Sequence, residues 1–128
     1  MTALDGTNLT TAAFTVPASG KIRVELAAYC SCTAGVANNA IGFGVLNHSG
    51  GAQLGNTFNV FLRAPTTATD QILCVAQVLI SGLTPAASLQ VDFAACSVNT
   101  ASVFAQGYTG LVSNGGSAPA TIIVYTAS

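Results

Sequence analysis

Charge is what this chain has least of. Lys, Arg, Asp and Glu make up 5% of its 128 residues, against about 25% in an ordinary soluble domain. They are Asp5, Lys21, Arg23, Glu25, Arg63, Asp70 and Asp92. Three basic residues with a net charge of −1 do not neutralise a phosphate backbone, so nucleic acid is not an expected partner. Scarce charge also removes the usual guard on strand edges, which Lys or Pro normally blunt. A chain this neutral is expected to hide part of its surface in an assembly.

Long apolar runs are missing too. Half of the residues are apolar (51%), but about a third of these are Ala, and a spanning helix needs about 20 consecutive apolar residues. The longest candidate, "ILCVAQVLISGL", is interrupted by Gln77, Ser81 and Gly82 and has the β-branched character of a buried strand. No membrane partner is therefore expected. The opening "MTALDGTNLTT" has neither a basic nor an apolar signal region, so no secretory signal is expected. Formal glycosylation sequons at Asn8 and Asn47 are accordingly read as chance matches. Trp is absent, which leaves only Tyr29, Tyr108 and Tyr125 as platforms for a sugar ring.

The catalytic and metal vocabulary is equally thin. His48 is the only histidine; it stands in "LNHSGG" beside Ser49, without a G-x-S-x-G turn. Asp70 or Asp92 would have to be brought to it by the fold to orient an imidazole, so it is read as a loop histidine. The four carboxylates are dispersed and do not suggest a glycosidase pair. "GFG" at Gly42–Gly44 lacks the third glycine and the helix of a dinucleotide loop. Cys30, Cys32, Cys74 and Cys96 do not follow structural zinc spacing. Cys30 and Cys32 lie about 6.6 Å apart along one strand face, a poor geometry for a mutual disulfide. Buried reduced thiols are the favoured reading, with a cross-strand bridge to Cys74 or Cys96, or a metal site, as alternatives. No catalytic, cofactor or metal residue is assigned, and the chain is expected to be non-enzymatic.

What is present is alternation. Apolar and polar residues alternate in short runs bounded by Gly, Pro, Asn and Ser from Leu9 to Ala127, the pattern of half-buried strands. Strands are expected near 9–16, 21–32, 40–48, 57–64, 71–81, 87–97, 101–108 and 119–127. "VPASGK" and "SGLTPAAS" supply turn chemistry at Pro17, Gly20 and Pro85. About eight strands without helix signals predict an all-β fold, an antiparallel two-sheet β-sandwich of jelly-roll or immunoglobulin-like type. Residues 9–128 are expected to form one domain, preceded by an arm over 1–8.

Two strands carry more apolar residues than one core can use. In "ILCVAQVLI", Cys74, Ala76, Val78 and Ile80 alternate with Leu73, Val75 and Leu79. In the last strand Ile122 and Val124 oppose Ile123 and Tyr125. A second apolar face calls for a second partner, commonly another subunit, so a homo-oligomer is expected. In "KIRVELAAYCSC" one face is core and the other carries Lys21, Arg23 and Glu25, read as solvated or ion-paired, with a subunit contact as the sharper alternative. Arg63 is the other basic candidate for such a contact.

"FTVPASGKIRVELAAY", "GFGVLNHSGG", "VLISGLTPAASLQVDFAAC" and "PATIIVYTAS" together resemble small β-sandwich domains of virion surface proteins in tailed bacteriophages, particularly those of actinobacteria. The likeness runs from about Leu9 to the end. Fibronectin type III domains share part of the pattern, but Leu89 stands where their corner tyrosine would be. The phage resemblance implies a capsid decoration protein, or alternatively a tail-fibre or minor tail receptor-binding domain, often trimeric. It implies the major capsid protein or other virion proteins as partners, and a place on the virion surface after assembly in the host cytoplasm. The segment 1–8 would then lie as an arm on the capsid or a neighbouring subunit.

Overall fold

The computed structural model describes residues 2–3, 9–31, 39–62, 72–98, 102–104 and 120–128. Among the described residues there are ten strands: β1 (Thr2–Ala3), β2 (Phe14–Thr15), β3 (Ile22–Ser31), β4 (Asn39–Asn47), β5 (Gln53–Leu62), β6 (Ile72–Ile80), β7 (Ser88–Leu89), β8 (Val91–Val98), β9 (Ser102–Phe104) and β10 (Thr121–Thr126). The described residues include no helix.

The strands form two antiparallel sheets. One has the order β1-β8-β4-β5 and the other β10-β3-β6, with β9 pairing the far end of β3; β2 and β7 make a small ribbon. The fold is therefore all-β with two packed sheets. In the immunoglobulin order the last two strands pair with each other; here β9 and β10 each pair with β3, β10 along Ile22–Ala27 and β9 along Tyr29–Ser31, so the connectivity departs from that order.

Period-2 alternation places the core. Ile22, Val24, Leu26, Ala28 and Cys30 of β3 are buried, as are Cys74, Ala76, Val78 and Ile80 of β6. From the other sheet Ile41, Phe43 and Val45 of β4 and Val91, Phe93 and Ala95 of β8 join the same cluster. Phe43 and Phe93 meet edge to face, with ring centroids 5.0 Å apart and planes at 87°.

Three strand expectations need correction. The strand expected over 9–16 is broken: Thr10 forms an isolated bridge with Asp92 and only Phe14 and Thr15 pair with Leu89 and Ser88. The segment does run beside 87–93, but the register slips at Ala12 and Ala13. Side chains fill the gap, Gln90 Nε2 donating to Thr11 O at 2.9 Å and Thr11 Oγ1 accepting from Val91 N at 3.2 Å. The same slip divides the strand expected over 87–97 at Gln90.

Strand β5 begins at Gln53 rather than 57. Its pairing with β4 shifts between Phe43↔Phe58 and Val45↔Leu54, so the extra residues of β5 form a bulge around Gly55. Gly55 has φ +67°, and a Cβ there would lie 3.1 Å from Ile80 Cγ1 and 3.2 Å from Leu79 O. A bulge needing positive φ against a neighbouring strand hides the alternation that marks a strand.

Of the segment expected to be an arm, the described part, Thr2–Ala3, pairs with Ala95 and Ala94 of its own β8. The rest of 1–8 lies outside the described residues, as do Cys32, Arg63, Asp70, Tyr108 and the end of the strand expected over 101–108.

The Pro85 turn closes through Ala87 N donating to Thr84 O at 3.2 Å. Ala86 occupies the third turn position with φ 61°, which belongs to Gly or Asn in a type II turn. Ala86→Gly is expected to stabilise the fold by about 0.5 kcal/mol, the relief of left-handed strain exceeding the added chain entropy. A rise in the thermal midpoint would register it.

Candidate functional site

Two features stand apart from the core: a polar cluster outside the first sheet and an uncovered face of the second. The cluster is centred on Asp92. Because Val91, Phe93 and Ala95 of β8 face the core, Asp92 faces outward, yet it is only 6% exposed. Thr10 Oγ1 donates to its Oδ1, and His48 Nδ1 lies 2.8 Å from the same oxygen. The carboxylate accepts, so the ring carries its proton on Nδ1. The β4–β5 turn holds His48 in place, with its N–H donating to Gln90 O at 3.0 Å.

This His–Asp pair was not legible in the sequence, where the two residues are 44 positions apart. Among the described residues no serine completes it as a hydrolase triad. Ser49 Oγ donates to Asn47 Oδ1 at 3.0 Å, and the third group on the carboxylate is the Thr10 hydroxyl. The cluster ties the segment after Leu9 and the β4–β5 turn to β8. Asp92→Ala is expected to cost about 2 kcal/mol, since two donors lose a largely buried charged acceptor. Asp92→Asn, which keeps one oxygen, is expected to cost less; urea unfolding of the two variants compares them.

The cysteines divide by face. Cys30 and Cys74 are buried free thiols and Cys96 is an exposed one. Cys30 pairs across the ladder with Ile72, whereas Cys74 is opposite Ala28. The two are diagonal neighbours, about 7–8 Å apart in an antiparallel pair, beyond the reach of an unstrained disulfide. The Cys30 thiol donates to Ala28 O at 3.7 Å, and the neighbouring Cys74 side chain together with burial holds Cys30 above the ordinary thiol range, while Cys30 draws Cys74 below it. A buried thiol held protonated, as Cys30 is, is a poor nucleophile. Among the described residues no group of three or more His, Cys, Asp or Glu could hold a metal ion.

The second feature is the outer face of β10-β3-β6. Leu79 (62%), Leu73 (52%), Val75 (50%), Ile123 (43%) and Tyr125 (38%) are its exposed apolar side chains. Register gathers them into rows, with Leu79, Arg23 and Tyr125 in one and Gln77, Glu25 and Ile123 in the next. The charges of β3 are engaged within this face. The Arg23 guanidinium lies 5.2 Å from the centre of the Tyr125 ring, a cation–π contact, and Glu25 Oε2 accepts from Gln77 Nε2 at 3.0 Å. Lys21 stands aside, with Nζ 3.5 Å from Ser128 O. Arg23 and Glu25 thus reach uncharged partners on the adjacent strands.

Comparison with protein families, with curated proteins and with solved structures finds no match. Fold and site therefore rest on the geometry of this chain alone. Among the described residues the Asp92 cluster ties segments of the fold together, and the outer face of β10-β3-β6 is apolar. Monomeric proteins rarely leave apolar side chains gathered on one sheet face, so this face is the better candidate for function.

Proposed function

We propose that this protein is a non-enzymatic structural protein of a bacteriophage virion, a capsid decoration protein that self-associates and binds the outer surface of the shell. The observation that carries the reading is the exposed apolar face of β10-β3-β6, with Leu73, Val75 and Leu79 along one edge strand and Ile123 and Tyr125 along the other. A sheet face of this kind covers a flat partner without a deep pocket. Two charged residues, Arg23 and Glu25, stand among five exposed apolar side chains, so most of the area that docking would cover is apolar. Binding to an assembled shell would stabilise that shell by mass action. The virion setting comes from the sequence resemblance.

The test uses undecorated shells of the source phage, sedimented with the purified protein. Wild type is expected to co-sediment at a copy number near that of the capsid subunits. A Val75→Lys/Leu79→Lys variant, altered only at exposed positions and so expected to fold normally, is expected to bind at least about ten-fold more weakly. Absence of co-sedimentation, together with binding to the host envelope, would replace decoration by the tail adhesin reading.

A further inference from the structure

Strand β10 is an edge of its sheet: β3 pairs along one side of Thr121–Thr126, and no described strand takes the other. Which main-chain groups face outward follows from one bond. Ala127 N donates to Lys21 O at 3.3 Å, in register with Thr126↔Ile22. In an antiparallel ladder the N–H and C=O of a residue point to the same side, and sides alternate along the strand. Thr121, Ile123 and Tyr125 therefore bond to β3. The N–H and C=O groups of Ile122, Val124 and Thr126 point away from it.

Nothing in "TIIVYT" guards this edge, since it holds no charge and no proline, the devices that normally prevent strand addition. Beside it runs a groove of about 350 Å³, lined by Ile122, Val124 and Thr126 on the strand side and by Phe14, Thr15 and Pro17 opposite. An unpaired backbone row next to apolar space is a site for an added strand, whose alternate side chains fill the space.

We infer that the added strand is β10 of a second copy, paired antiparallel across a two-fold axis at Val124. This register engages all three outward residues: Val124 faces the partner's Val124, and Ile122 faces the partner's Thr126. A register centred on Ile123 or Tyr125 engages only two. On the outer face the same register sets exposed Ile123 against the partner's Tyr125, an aromatic–β-branched cross-strand pair. Charge agrees with it. Arg23 shares a row with Tyr125, and Glu25 shares one with Ile123. Each row crossing the join therefore carries one Arg from one copy and one Glu from the other, whereas centring on Tyr125 would align the two Arg23 side chains. The groove receives the inward-facing side chains of the partner strand. A single strand pair covers less than the about 800 Å² per partner of a standard interface, so the dimer forms reversibly with concentration.

This inference rests on the self-association part of the reading above and is independent of the virion. Sedimentation velocity from low micromolar to near-millimolar protein, with hydrogen exchange at both ends of the range, tests it. The expected result is a monomer–dimer equilibrium in which the Ile122, Val124 and Thr126 amides gain protection as the dimer forms. Val124→Pro removes an outward donor without touching the ladder to β3. It is expected to raise the dissociation constant about ten-fold or more, while Val124→Thr leaves it nearly unchanged. Tyr125→Lys, which keeps the backbone intact and sets a like charge beside Arg23, is expected to weaken the dimer too and serves if the proline variant melts early. Monomer at every concentration would overturn both this inference and self-association. A trimer, an oligomer indifferent to Val124→Pro and Tyr125→Lys, or amides protected at every dilution would overturn the edge pairing alone.

Discussion

Phe93→Ala is expected to lower the unfolding free energy by about 3–5 kcal/mol. The ring is fully buried on β8 and meets Phe43 of β4 edge to face at 5.0 Å. It stands where the first sheet packs against the second, within the cluster that joins β3, β4, β6 and β8. Truncation loses the transfer free energy of the ring and leaves a cavity that the strands, held by ladders on both sides, cannot close. Domains of this size are stable by about 5–15 kcal/mol, so the variant is expected to lose a large fraction of the fold's stability. Urea unfolding should show a large fall in midpoint at unchanged slope. Phe43→Ala is expected to cost a similar amount, and the double variant less than the sum, because the contact between the rings is then lost only once.

Gly20→Ala is expected to cost about 2–4 kcal/mol, from two causes that a control separates. Gly20 has φ +63°, and an added Cβ would lie 2.6 Å from the carbonyl oxygen of Leu83. That oxygen belongs to backbone, and Leu83 N donates to Gly20 O at 3.1 Å, so relief of the clash breaks the tie between the two turns. Gly51 has nearly the same φ, +65°, with no atom within 4 Å of the corresponding Cβ. Gly51→Ala therefore carries only the left-handed penalty, about 1–2 kcal/mol, and the difference between the variants measures the clash. Equal thermal shifts for the two would contradict this account.

Legibility followed burial. Strands β3, β6 and β10 were readable because each has a face against the core, and alternation at period 2 records that directly in residue type. The surplus apolar face of β6 and β10 was readable for the same reason, since Leu73, Val75, Leu79, Ile123 and Tyr125 had no place in a single core. The core role of Cys30 and Cys74 followed from the same alternation. What could not be read were features made by register. The start of β5 is masked by the Gly55 bulge, and the break in 9–16 is set by a slip against β8 that side chains of Gln90 and Thr11 fill. Three residues of ordinary loop and strand type, Thr10, His48 and Asp92, share one carboxylate only because β8 places its outward side chain beneath the β4–β5 turn.

The sequence by itself determined that this protein is a two-sheet β-sandwich with an apolar surplus, because burial and turn chemistry act residue by residue. Only the tertiary structure decided which strands are neighbours, that β10 returns to the sheet of β3, and therefore that the surplus lies on one face beside an open edge. Strand order and register arise from contacts between residues far apart in the chain, and no local pattern carries them.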